Sequence, residues 1–298
     1  MFRTLKDLQA VVNRKDKKKL VLAVSQDSQS LGALHEAYKA GFIEPVLVGS
    51  MPETEFLIKE GGYDFSGVEM IHEDTQEKAV EHAVRMVHDK KAEILMKGKV
   101  ATPILLKAVL NKEWGLRTGR LLSHIALFEV NTYHKLIAVT DVAMNIAPSL
   151  SDKIQIVNNS VEFLNKMGIA KPKVAVLGAI EMVNESMKAT LDAALLSKMN
   201  QRDQIRNCLI DGPLAFDNAV SFESAKHKGI KSEVAGDTDL LLMPDIEVGN
   251  VLYKSLVFFA KAKVASVILG ARAPIVLTSR SDSEEAKFNS ILLAAVGG

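Results

Sequence analysis

The residues best suited to chemistry stand where apolar runs end. Ile275-Val-Leu277 gives way to Thr278-Ser279-Arg280, and a strand that delivers a hydroxyl and a guanidinium to a turn suits bidentate donation to a phosphate oxyanion. Met96-Lys97-Gly98-Lys99-Val100-Ala101-Thr102-Pro103 leaves a strand and opens a helix, so two lysines converge on one turn. A phosphate or carboxylate site and an ordinary loop explain that turn equally well. Gly119 to His124 brings Arg120, Ser123 and His124 to the start of an apolar run, and Asp141 to Asn145 is a polar strand end. Met243 to Asn250 crowds Asp245, Glu247 and Asn250 at a helix start, where acids suit the helix dipole. Gly249 within that helix costs about 1 kcal/mol relative to alanine, which calls for a close approach by a ligand or another backbone.

These segments need a scaffold that gathers strand ends. Leu20–Val24, Val46–Val48, Ile94–Met96, Val174–Leu177, Leu209–Ile210, Leu240–Met243, Val267–Leu269 and Ile275–Leu277 are short apolar runs. Between them lie stretches of helical period, over about residues 31–40, 75–90, 102 onward, 151–167, 186–199, 247–260 and 284–295. Apolar strands alternating with helices predict a parallel sheet covered on both faces, and in such sheets ligands gather beyond the strands' carboxyl ends. Ile125–Phe128 and Leu136–Val139, joined by Asn131–His134, read as a hairpin. That hairpin favours two α/β domains with a cleft over a closed eightfold barrel. Ser281-Asp-Ser-Glu284 fits a capping box for the last helix.

Composition narrows the function. The chain has 298 residues, 37 Lys plus Arg against 36 Asp plus Glu, and offers no general attraction to nucleic acid or to an anionic membrane. One cysteine, Cys208, excludes an internal disulfide. No apolar stretch reaches membrane-spanning length and the N-terminus lacks a secretory pattern, so cytoplasmic residence is expected. There is no dinucleotide fingerprint, no phosphate-binding GxxxxGK[ST] loop and no HExxH, and His82 and His88 are badly spaced to share a metal. No metal and no tightly bound cofactor are expected.

Taken together, DGPLAFDNA, GDTDLLLMPDIEVGNVLYKSL and GARAPIVLTSR, from about Asp211 to the end, resemble the phosphate acetyl/butyryltransferase family. Pro244, Asp245, Gly249, Asn250, Tyr253 and Lys254 fit its strand-end pattern, while MKGKVAT, LSHIALFE, TDVAMNIAP and GAIEMVNESMKAT are similar to the butyryl branch. The resemblance implies the two-domain fold of isocitrate and isopropylmalate dehydrogenases, with residues 1–128 plus 270–298 in one domain and 129–269 in the other. It implies reversible acyl transfer between butyryl-CoA and phosphate by direct attack in a ternary complex, with coenzyme A as substrate and a homo-oligomer as the working form. Ser279 and Arg280 then match the family's serine and arginine, and Lys107 falls near a further cationic position. Lys97, Ser123, His124, Asp245 and Asn250 are the remaining expected phosphate or CoA contacts. The proposed base of the acetyltransferases aligns with Ala286, which leaves Asp282, the preferred carboxylate, and Glu285. Three rivals stand: a phosphate acetyltransferase or broader short-chain acyltransferase, a non-catalytic acyl-CoA sensor, and a metal-dependent dehydrogenase using Asp237, Asp239 and Asp245.

Overall fold

The structure, a computed structural model, describes residues 2–12, 17–278 and 282–298. In chain order its regular elements are β1 (Lys18–Ala23), α1 (Ser28–Lys39), β2 (Ile43–Gly49), α2 (Met51–Gly61), β3 (Glu69–His72), α3 (Gln76–His88), β4 (Ile94–Lys97), α4 (Thr102–Val109), β5 (Ser123–Glu129) and β6 (Ile137–Thr140). There follow α5 (Leu150–Lys166), β7 (Lys173–Leu177), α6 (Lys188–Gln201), β8 (Leu209–Leu214), α7 (Phe216–Val220), α8 (Phe222–His227), β9 (Leu240–Leu242), α9 (Ile246–Phe258), β10 (Lys263–Leu269), β11 (Ile275–Val276) and α10 (Glu284–Gly297). The chain divides into two compact units, one of residues 8–120 and 265–298, the other of residues 1–7 and 121–264.

In the first unit the strand order is β3-β2-β1-β4-β11-β10. All pairings are parallel except β10 with β11. The parallel arrangement follows from the apolar runs, which are buried through the length of β4 and nearly all of β2. Helix α3 turns Ala79, Val80, Ala83, Val84 and Val87 inward, at the spacing the sequence shows. Helix α10 is buried along most of its length. Its N-cap is Ser283, which accepts from Ala286 N, so the cap stands two residues beyond the expected Ser281, itself outside the described residues. Similarly, α4 begins at Thr102 after an N-cap at Ala101 that makes no side-chain bond, and Pro103 sits in the first turn.

The second unit orders its strands β5-β6-β9-β7-β8. β5 and β6 form the expected antiparallel hairpin, and the other neighbours are parallel. Because β5 runs against β6, its first residues lie beside the carboxyl end of β6, with Ile125 opposite Thr140. Helix α5 carries a complete capping box, Ser149 with Asp152. Buried Lys153 of α5 reaches Asp192 of α6 at 2.7 Å, and Lys188 reaches the same oxygen at 2.6 Å. At the opposite, amino-terminal ends of the strands, buried Lys135 bonds Asp239 at 2.6 Å and Asp237 at 2.9 Å, and Lys173 bonds Asp237 at 2.7 Å.

Candidate functional site

Within the first unit three adjacent strands, β1, β4 and β11, point their carboxyl ends the same way. Beyond them lie Ser25 to Asp27, Lys97 to Lys99, and Thr278, the residue before Ser279 and Arg280. Ser279 and Arg280 are outside the described residues. Lys97 is buried, and its ammonium donates to the carbonyls of Gly98 and Val100 at 3.2 Å. A Cβ on Gly98 would stand 2.1 Å from the Val24 carbonyl oxygen, so this glycine serves the approach of two strands' ends. Lys107 lies in the last turn of α4, exposed. Asp282 is half-buried just before the Ser283 cap, and Glu285 is exposed in the first turn of α10.

One residue here escaped the sequence reading. Lys287 is 3% exposed, donates to Thr278 Oγ1 at 3.1 Å and stands 4.0 Å from Asp27 Oδ2. It ties α10 and the end of β1 to the residue that precedes the Ser-Arg pair. The signal was present: Lys287 falls four residues before Ile291 and so on the apolar face of its helix.

In the second unit the carboxyl ends of β6 and β9 gather Ser123, His124, Asp141, Asn145, Asp245 and Asn250. Asp141 accepts from Ala143 N at 2.9 Å, Met144 N at 3.0 Å and the side-chain amide of Asn145. That amide also donates to Leu122 O at 2.9 Å. Asn250 Nδ2 donates to Val142 O at 3.3 Å, so α9 is laced to the turn after β6. Gly249 gives the reason for its own cost: a Cβ there would lie 2.2 Å from Asp141 O and 3.1 Å from Val142 Cα. The close approach is to another backbone. Asp245 caps α9 by accepting from Val248 N at 2.9 Å. Ser123 Oγ accepts from Asn159 Nδ2 at 3.1 Å.

His124 differs from its neighbours. It is 6% exposed, and neither ring nitrogen has a hydrogen-bond partner among the described residues. Leaving a buried polar group unpaired costs about 1–3 kcal/mol. Burial pushes its imidazole below the ordinary histidine range, against the pull of the Asp141 charge, so the ring is neutral near pH 7. Tyr253 of α9 lies alongside, ring centroids 6.5 Å apart.

The same end of this unit holds a cavity of about 790 Å³ beyond β7, β8 and β9. Leu177, Met187, Thr190, Phe216, Val248 and Val251 are among its lining residues. By contrast, the acids of the dehydrogenase rival are engaged elsewhere. Asp237 and Asp239 pair with Lys135 and Lys173, and Asp245 is a helix cap. Cys208 is buried, and burial pushes its thiol up to about 11. No helix among the described residues is long and apolar enough to cross a membrane.

Known proteins place this arrangement. A phosphate butyryltransferase of Clostridium acetobutylicum is 46% identical over 296 residues, covering 99% of this chain and 98% of the relative. A phosphate acetyltransferase of Thermotoga maritima is 46% identical over 279 residues, 94% of this chain and 95% of that one. A solved branched-chain phosphotransacylase from Enterococcus faecalis superposes with a TM-score of 0.82 at 34% identity, over 93% of this chain and 97% of its own. The family model Phosphate acetyl/butaryl transferase matches residues 4–84 and 72–295, and the chain belongs to that family.

Proposed function

We propose that this enzyme is a phosphate butyryltransferase: it moves a butyryl group reversibly between coenzyme A and inorganic phosphate. The observation that carries the reading is 46% identity to a phosphate butyryltransferase over nearly the whole of both chains. The reaction is direct. The CoA thiol gives its proton to Asp282, the sulfur attacks the carbonyl carbon of butyryl phosphate, the bond to the bridging oxygen breaks, and phosphate leaves. Charge moves onto that phosphate as the bond breaks, and fixed cationic donors stabilise it most where water is excluded. Arg280 takes this role, with Ser279 donating to the reacting carbonyl or the thiol. The Thr278–Lys287–Asp27 contacts support the assignment by fixing the residue just before the pair. Lys97, Lys107, Ser123, His124, Asp245 and Asn250 complete the proposed phosphate and CoA contacts. Coenzyme A and phosphate are substrates that the cytoplasm supplies, and no cofactor or metal enters.

A broader short-chain acyltransferase is the second reading, favoured by equal identity to the Thermotoga maritima acetyltransferase. Butyryl exceeds acetyl by two methylenes, each worth about 1–3 kcal/mol in an apolar pocket, so the two readings differ by degree. Phosphate-dependent thiol release should be measured with acetyl-, propionyl-, butyryl- and isobutyryl-CoA. The highest kcat/KM with a four-carbon chain supports the proposal, whereas a maximum with acetyl-CoA overturns it. No release above background with any of them makes the protein a sensor. Arg280→Ala should lower turnover and raise the KM for phosphate in an intact fold; unchanged kinetics would remove Arg280 from the site.

The working form we propose is a homo-oligomer. Its support is an apolar surface on α6 and α9 that carries Leu191, Leu195, Val248, Val251 and Phe258, with Phe259 just beyond at 89% exposure. A second copy of the chain covering that surface would remove the apolar area from water.

A further inference from the structure

Lysine is among the residues least often buried, yet Lys287 of α10 is almost wholly enclosed. Its ammonium donates to Thr278 Oγ1 at 3.1 Å and stands 4.0 Å from Asp27 Oδ2, the oxygen that also accepts from Ser30 Oγ. Three segments of the first unit therefore meet at one cation: the start of α1, the stretch that follows β11, and α10. Helices α1 and α10 lie so close that a Cβ on Gly32 would stand 2.5 Å from Glu284 Oε1. That packing brings Asp27 and Lys287 to the same place.

The elements around this cation have ties of their own. Gly98 N donates to Ala23 O at 2.8 Å and Lys99 N to Val24 O at 2.9 Å, which locks the end of β4 to the end of β1. Val24 takes φ 62°, in the left-handed region, where a β-branched residue is an outlier that persists only when its surroundings over-determine it. Helix α10 is anchored apart from Lys287. Ser290 Oγ accepts from Ser266 N at 2.9 Å and donates to Ala286 O at 2.8 Å, and Ile291, Leu292 and Leu293 are fully buried. β11, by contrast, spans Ile275–Val276 alone, paired with Leu95 and Met96 of β4. Thr278 is buried beyond that pairing, and its hydroxyl is held by Lys287 against a base that is already rigid.

We propose that Lys287 is a positioning residue for the transfer: its bond to Thr278 sets where the chain enters Ser279 and Arg280, and so how well phosphate is held. This rests on the acyl-transfer reading above. Lys287 acts here through Thr278 and not on the reacting atoms. Displacing a reacting or binding group by about 1 Å, through a residue outside the chemistry, can cost about 10²-fold in rate. A guanidinium that donates through two parallel bonds is more sensitive to such a shift than a point charge, because both bonds have to align with the same anion. The consequence is uneven between the two substrates. Loss of the tie should tell on phosphate, which Arg280 is proposed to hold, far more than on the acyl-CoA.

The test is phosphate-dependent thiol release from butyryl-CoA, with KM for phosphate and KM for butyryl-CoA measured separately. The proteins are wild type, Lys287→Met, Thr278→Val, Thr278→Ser and the double variant Lys287→Met/Thr278→Val. Methionine keeps an unbranched stem and removes the donor, valine keeps the shape of threonine and removes the acceptor, and serine keeps the acceptor. Expected for Lys287→Met and Thr278→Val is a fall of about 10–10²-fold in kcat/KM for phosphate, with KM for butyryl-CoA within a few-fold. The double variant should be no worse than the poorer single one, because the same bond is lost only once. Thr278→Ser should recover most of the loss. A role confined to stability would lower the Tm of Lys287→Met and leave both KM values of the folded enzyme unchanged, and that result overturns the inference. Losses that multiply in the double variant, or equal rises in the two KM values, overturn it too. Should Lys287→Met fail to fold, the serine and valine variants at 278 decide with Lys287 intact: equal kcat/KM for phosphate in the two refutes the proposal. Wild type without phosphate-dependent thiol release would instead sink the acyl-transfer reading, a result read before any variant is made.

Discussion

Gly249→Ala isolates the contact between α9 and the turn after β6. The added methyl would sit 2.2 Å from Asp141 O, whereas a C–H···O contact settles at about 3.3–3.6 Å. Relief therefore requires about 1 Å of separation between two backbones, and no side-chain rotation can supply it. Three effects compete. Alanine gains about 1 kcal/mol over glycine in a helix. Forcing an extra carbon into a packed region costs about 1–3 kcal/mol, and a full ångström of backbone shift belongs at the upper end. The 3.3 Å bond from Asn250 to Val142 O stretches beyond hydrogen-bond range, a further loss of about 1 kcal/mol. The net is about 3 kcal/mol of destabilisation, or about 6–12 °C in Tm at the about 2–4 °C per kcal/mol of chains near this size. Calorimetry reads the melting point, and the same preparation read at low temperature should show reduced kcat, since the shift displaces Asp141 and Asn250 together. A variant that melts at or above the wild-type temperature with full turnover would refute the close approach, because helix propensity alone predicts that gain.

Burial opposes ionisation of Asp237, but hydrogen bonds from Lys173, Lys135 and His134 outweigh it and hold the carboxyl well below the usual range. A depressed folded pKa means that the unfolded chain binds more protons near pH 4, so this stabilisation is present above that pH and is lost as pH falls. Asp237→Asn should flatten the fall in Tm between about pH 5 and pH 3; an unchanged slope would show that the network does not govern acid stability. For the apolar surface, Val251→Glu places a charge on a residue 65% exposed in the single chain. Light scattering coupled to size exclusion should show a smaller species than wild type, and an identical mass would move the interface elsewhere.

Elements whose periodicity is strong were legible from residue types alone. Most strand runs, α3, α5 and the β5–β6 hairpin were expected within a residue or two of where they stand, while β2, β8 and β10 extend three or four residues beyond their apolar runs at one end. Helix α2 was not, and the reason is physical: only Thr54 of its eleven residues is buried, so no apolar stripe announces it. The last helix begins at Glu284 as expected, but its cap was assigned to Ser281 although Ser283 is an equally plausible cap, and the N–H that Ser283 finds at Ala286 decides the choice. Gly249 was legible as an exception to helix propensity, while its cause, the carbonyl of a residue 108 positions earlier, was not.

The site divides along the same line. Sequence shows which side chains exist near strand ends, but a partner from a distant segment decides what each is able to do. Asp237 and Asp239 have the composition of a cation site, yet Lys135, about a hundred residues away, turns them into an ion-pair network at the ends of the strands opposite the candidate site. Lys287 has the composition of a surface helix residue, yet Thr278 and Asp27 hold it inside. His124 is the converse case. Ser123 and Asn145 find partners from other segments and Asp141 finds its own in the turn that follows it, whereas neither ring nitrogen has a hydrogen-bond partner among the described residues. An unpaired buried imidazole costs the folded protein about 1–3 kcal/mol.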